Sequence, residues 1–244
     1  NARPRAAHAG RFARATTHAT THPMDFSLVP LLDNWRFIAL GLWTTLYVSL
    51  LAMAGSLMVG VAAGLGRCYG PRWLRWVLVF YIDSMRSIPV LVVLIWMYFA
   101  FPMLIGVSLP PVTGAVVAIT VHLAAYIAEI VRAGVESIRP GQVRAGLALG
   151  MSRPQLVRKI ILPQATVRML PAFGSALGIA VKDTAIASVI AVPELIRQAE
   201  TVAGLTYKPL EVYTLVMLLY FVILFPVSRG IDRFYLRVAH LGRS

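Results

Sequence analysis

Charged residues are missing from long stretches of this chain and crowded into the intervals between them. None occurs from Phe37 to Gly66, and none from Ser87 to Ala128. A helix needs about 20 mostly apolar residues to cross the hydrocarbon core of a membrane. The first stretch therefore predicts one span, of about 37–66. The second is too long for a single helix, and Pro110-Pro111, preceded by Gly106 and Ser108, divide it into spans of about 87–105 and 112–132. A fourth, about 169–192, is apolar apart from Lys182 and Asp183, and a fifth covers about 210–229. The expected fold class is an all-α integral membrane protein with five transmembrane helices and a cytoplasmic loop at 139–163. Its membrane domain is 37–236, preceded by an extracytoplasmic segment 24–36 and followed by a cytoplasmic tail 237–244.

Lys and Arg in the connections set the orientation. Arg67, Arg72, Arg75 and Arg86 follow the first span, and the third connection holds Arg132, Arg139, Arg144, Arg153, Arg158, Lys159 and Arg168. Residues 106–113 carry no charge, and 197–211 balance Arg197 and Lys208 against Glu200 and Glu211. The N-terminus is expected outside and the C-terminus in the cytoplasm. Residues 72–85 mix Arg72, Arg75 and Asp83 with Trp73, Trp76 and Tyr81, which reads as an interfacial helix. Gly60/Gly64 and Gly174/Gly178 are each one turn apart, a spacing that lets helix backbones approach closely.

Composition agrees with the pattern. The chain of 244 residues is 58% apolar and only 14% charged, with a mean hydropathy of +0.73, which excludes an ordinary soluble enzyme. The net charge of +13 sits between apolar runs rather than on a polar domain, so it marks cytoplasmic loops and not a nucleic-acid surface. Cys68 is the single cysteine and cannot form an internal disulfide. Residues 1–23 are rich in Arg, Ala and Thr and have no apolar run of the signal-peptide kind. They read as a disordered or mis-assigned leader ahead of a start at Met24. His8, His18 and His22 lack metal-ligand spacing, so neither a metal nor a cofactor is expected.

The informative segment is the third connection. Val143, Gly146, Leu147 and Gly150 share one face of a short helix after Pro140-Gly141-Gln142. Its two glycines cost helix stability and imply close packing there. Ser152 caps a second helix, with Pro154 in its first turn and Gln155 completing the capping box. Leu156, Val157, Ile160 and Ile161 form the apolar stripe of that helix, and Leu162-Pro163 is expected to end it.

The run Arg144-Ala145-Gly146, three residues, Gly150, nine residues, Ile160-Ile161-Leu162-Pro163 resembles the "EAA" loop of ABC importer permeases at every spacing. Ala124 to Arg132, Ile138 to Gln142, Leu162-Pro163-Gln164, Lys182-Asp183-Thr184 and Thr44-Thr45-Leu46 are similar to the polar amino acid subfamily in particular. The resemblance covers about residues 37–235. It departs where Arg144 replaces the loop's Glu, Gly146 its second Ala, and Ala185 a frequent Ser. Ser87-Ile88-Pro89 also stands for Gly-Thr-Pro. The resemblance implies a transport subunit that pairs with a second permease chain, same or related, and receives solute from an extracytoplasmic binding protein. It also implies that Gln142, Arg144, Ala145, Gly146, Gly150, Ser152, Ile160, Leu162 and Pro163 couple to a cytoplasmic ABC ATPase. The chain itself has no Walker sequence, so ATP hydrolysis is expected on that partner and not here.

Four residues are candidates for a solute pathway. Lys182 and Asp183 lie inside an apolar span, where a charge is costly unless paired or wetted. They either line the pathway or form a structural pair, and as neighbours on a helix they cannot both face one site. Glu129 reads as an interfacial pair with Arg132 at i, i+3 or as a gating residue, and Tyr126 lies one turn above it. His122 reads as a packing residue, and Arg86-Ser-Ile-Pro89 as a helix start without a solute role. A stand-alone ion-coupled carrier is the rival reading, but five spans do not divide into an inverted repeat. An intramembrane enzyme is disfavoured, because neither H-E-x-x-H nor G-x-S-x-G occurs.

Overall fold

The computed structural model describes Ser27 and residues 29–238, and among these every regular element is helical. After a one-turn helix at Val29–Asp33, α1 runs from Trp35 to Tyr69. α2 (Arg72–Ser87) and α3 (Val90–Ile105) follow, bent by 110° at Ile88-Pro89. α4 is Pro111–Glu136, α5 Pro140–Ala148, α6 Arg153–Ile190, α7 Leu195–Thr206 and α8 Pro209–Val238. α1, α4, α6 and α8 are each long and apolar enough to cross a membrane, and counting the bent α2–α3 pair as one broken span brings the number to five. The expected leader 1–23 lies outside the described residues.

α1 and α4 form the central pair. Gly60 and Gly64 make their crossing possible: a Cβ on Gly60 would sit 2.5 Å from the Ile127 Cβ, and one on Gly64 2.7 Å from the Ala128 carbonyl. The Ser56 hydroxyl, fully buried, reaches the carbonyls of Ala52 (2.6 Å) and Thr120 (3.2 Å) across the same seam. The second glycine pair behaves differently. Gly174 accommodates Ile231 of α8, whereas Gly178 faces open space.

α2 is amphipathic in the sense its sequence predicts. Ile82 is fully buried against Ala63 and Ala128, and the Tyr81 hydroxyl donates to the Val121 carbonyl at 2.6 Å. Trp73, Trp76, Val77 and Phe80 form the opposite, exposed stripe. All five tryptophans are exposed, the inverse of a soluble fold and the arrangement of a lipid-facing surface. α3 packs Val93 and Leu94 inward, widens into a π-turn at Trp96–Ala100, and ends on Gly106 in the left-handed region (φ 69°).

Two features differ from the sequence reading. The helix that begins at Arg153 does not stop at Leu162-Pro163; it runs on as α6 into the fourth span. A π-turn at Val157–Ile161, with the Leu162 N–H bonded to the Val157 carbonyl, widens the helix just before Pro163. Proline has no N–H to donate there, and the widened turn takes up the mismatch that an unbroken α-helix would not. The connection before the fifth span is also more than a loop. It contains α7, which buries Leu195, Ala199 and Val202 against α1 and α8.

Candidate functional site

An ion network ties together the ends of three helices. Glu129 on α4 accepts hydrogen bonds from Arg132 one turn on (Nη2 at 2.5 Å, Nε at 3.0 Å) and from Arg67 of α1 (Nη1 at 3.0 Å). Arg86, the last basic residue of α2, lies 3.8 Å from the same carboxylate, and Arg132 also pairs with Glu136. Burial of a carboxylate among apolar helices requires such partners. The Arg86 guanidinium stands 5.8 Å from the centroid of the Tyr126 ring, whose hydroxyl points at the Arg86 carbonyl (3.5 Å). Arg86, Tyr126 and Glu129 line an open-sided groove of about 360 Å³, walled otherwise by Ile130, Ala133, Ala172, Ser175, Ala176 and Ile179. The groove thus brings Tyr126 and Glu129 together and adds Arg86, which the sequence reading had set aside. His122 is buried one turn from Tyr126, their ring centroids 5.3 Å apart.

Lys182 and Asp183 are elsewhere. Lys182 is exposed on α6 and borders a second groove of about 390 Å³ between α6 and α8, with Gly174, Gly178, Leu224, Ser228 and Asp232. Asp183 is half-buried, and its Oδ2 has no hydrogen-bond partner among the described residues. The two neighbours diverge, as helix geometry requires. Ser175 and Ile179 border both grooves, so the exposed face of α6 separates them.

A polar knot at the start of α7 has little signal in the sequence. Glu194, fully buried, caps that helix by accepting from the backbone N–H of Ile196 (2.9 Å) and Arg197 (2.7 Å). Thr45 of α1, also fully buried, accepts from the Leu195 N–H at 3.1 Å. Burial pushes the Glu194 carboxyl up to about 7, against the opposing pull of the two N–H groups. An acidic residue before an apolar helix is the cap signal that would have found it.

The 139–163 loop is a compact unit. α5 and the start of α6 meet at Gly150, which holds a left-handed φ of 75°. Gln155 Oε1 accepts from the Ser152 N–H at 2.9 Å, completing the predicted capping box. Gly146 is buried because Leu156 and Ile160 press on it; a Cβ there would meet the Leu156 Cδ1 at 2.5 Å. Of the two glycines expected to pack closely, Gly146 does so within the loop itself, whereas Gly150 lies past the end of α5, where its left-handed backbone makes the turn and a Cβ would meet nothing within 4 Å. Leu156, Ile161, Ala165 and Met169 join Val131 and Ile138 in one core cluster, which seats the loop on α4. Arg168 donates to the Ser137 carbonyl at 2.5 Å, closing the loop at its base. What the loop offers outward is Arg144, Ala145, Leu147 and Leu149, with Ser152 and Pro163 exposed beside them.

This geometry has close counterparts. The family described as the binding-protein-dependent transport system inner membrane component matches residues 56–239. The glutamine transport system permease protein GlnP of Escherichia coli strain K12 is 40% identical over 185 residues, covering 75% of this chain and 84% of that protein. The arginine transport system permease protein ArtQ of Bacillus subtilis is 32% identical, covering 86% of this chain and 96% of its own. A crystal structure of an amino acid ABC transporter with histidines superposes with a TM-score of 0.83 at 32% identity, covering 88% of this chain and all of the other. The MetNI methionine ABC transporter, at 23% identity and a TM-score of 0.73, shares the fold. These relatives favour the ATP-driven importer over the stand-alone carrier. The chain belongs to the inner membrane components of binding-protein-dependent transport systems, as a multi-pass permease subunit of an ABC importer that is not itself an enzyme.

Proposed function

We propose that this chain, with a second permease chain, forms the pathway by which a polar amino acid crosses a bacterial cytoplasmic membrane. Its N-terminus lies outside and its C-terminus in the cytoplasm. The observation that carries the reading is Lys182, an exposed cation on the long apolar helix α6. A cation at that position is strongly unfavourable against lipid tails, so a protein face or a wetted pathway covers it. The small residues Ser175 and Gly178 near it, the latter facing open space, suit close approach of another helix. The solute class follows from the relatives, named for glutamine and arginine, and from the amino acid transporter of the same fold. Tyr126, Glu129, Lys182 and Asp183 remain the candidate pathway residues.

The loop at 139–163 is the element that meets the ATPase. Gly146 lets Leu156 and Ile160 lock α5 onto the start of α6, and the capping box at Ser152 fixes the turn after Gly150. Motion imposed on Arg144, Ala145, Leu147 and Leu149 therefore passes to α6 and α4 through packed side chains rather than through a flexible linker. Gln142, Ile160, Leu162 and Pro163 belong to the same rigid unit. The extracytoplasmic binding protein meets the opposite side, where α7 lies.

Gentle detergent extraction of native membranes and peptide identification of co-purifying chains test this reading. An ATPase carrying a Walker motif is expected, and the second permease recovered is either this chain or a relative of it. Recovery of neither contradicts the proposal.

A further inference from the structure

The groove between α2, α4 and α6 is lined by one cation and one anion, Arg86 and Glu129, and an excess of positive charge lies in the ion network beside it. That network sets the guanidinium groups of Arg67, Arg86 and Arg132 against the two carboxylates of Glu129 and Glu136. The carboxylates are not shared evenly. Arg67 and Arg132 hold Glu129 at hydrogen-bonding distance, while Arg86 at 3.8 Å is outside it. Arg86 is also the most exposed of the three, its side chain 39% accessible, and it alone of the three lines the groove. The Tyr126 ring steadies the guanidinium through its π-face, an interaction that uses none of the N–H donors. A planar fork of donors held at the rim of a groove of about 360 Å³ has the shape and charge of a carboxylate receptor, in a space of ligand-binding size.

We infer that Arg86, stacked on Tyr126, receives the carboxylate of the amino acid in the groove beside Glu129. Arg67 and Arg132 neutralise Glu129, so that this acid does not quench Arg86. The inference rests on the reading of the chain as an amino acid pathway, and it assigns a binding role to a residue that the sequence presents only as a helix end.

The test uses the permease–ATPase complex purified without its binding protein. Tritiated glutamine, arginine and histidine are offered in turn by equilibrium dialysis, alongside uptake of the same three by proteoliposomes of the complete transporter. For whichever is transported, Arg86→Gln is expected to weaken binding about 10- to 100-fold, the worth of a hydrogen bond to a charged group. Arg86→Lys, which keeps the charge and loses the fork, is expected to fall between. On the unaltered complex, the decarboxylated amine of the same amino acid is expected not to compete. Arg86→Gln binding that equals the unaltered complex, equal competition by the amine, or transport without detectable binding would each overturn the inference. Failure of Arg86→Gln to assemble leaves the decision to Arg86→Lys and the amine competition. Transport of none of the three amino acids counts against the pathway reading itself, and the subsite falls with it.

Discussion

Glu129 and Glu194 are both acids in an apolar bundle, and they are accommodated by opposite means. Glu129 is paired with guanidinium groups from α1, α2 and its own helix. Glu194 accepts, among the described residues, from two backbone N–H groups and sits fully buried, so its carboxyl is pushed up to about 7. A carboxyl whose folded pKa exceeds its ordinary value of 4.5 stabilises the fold fully below that value. This contribution is lost as pH rises through about 7. Thermal stability of the purified chain in detergent should therefore fall across this window. Glu194→Gln keeps a cap acceptor and removes the titration, so it should flatten the fall; an unchanged slope contradicts the assignment. Glu194 was legible in the sequence only as an acid near an apolar run, because which side chain caps a helix depends on where α1 and α8 pack around it.

At the level of elements, steric room at glycine decides which helices meet. Gly60 is in direct backbone contact with α4, and a Cβ there would lie 2.6 Å from the Ala124 carbonyl. Gly60→Val should force the seam apart and destabilise the chain by about 1–3 kcal/mol, read as a lower melting temperature in detergent. Gly178→Ala meets no atom within 4 Å and should leave the isolated chain no less stable, with a gain of up to about 1 kcal/mol from helix propensity. Equal effects of the two substitutions would contradict the packing described here. Both glycines stand in the same one-turn spacing in the sequence, so spacing alone could not separate the buried pair from the open one. Hydropathy located the long helices well, because a span is a property of its own residues. It missed α7, whose buried face is Leu195, Ala199 and Val202, and the helix end read from Leu162-Pro163 is carried through by the π-turn before it.

At the scale of the whole molecule, the loop is the best-marked segment in the sequence, since its shape depends on local spacing: Gly146, Gly150 and the Ser152 cap are all read within one segment. The groove is the opposite case. Arg67, Arg86, Tyr126 and Glu129 come from three helices, and only the crossing of α1, α2 and α4 brings them together. The central claim is that this arrangement moves a polar amino acid when a separate ATPase hydrolyses ATP. The most direct measurement is uptake of labelled glutamine, arginine and histidine into proteoliposomes holding the complete transporter with its binding protein, with ATP supplied on the side of the ATPase. The account predicts accumulation of at least one of them that requires hydrolysable ATP and persists when ion gradients are collapsed. Uptake that continues without ATP and disappears with the ion gradient would contradict it.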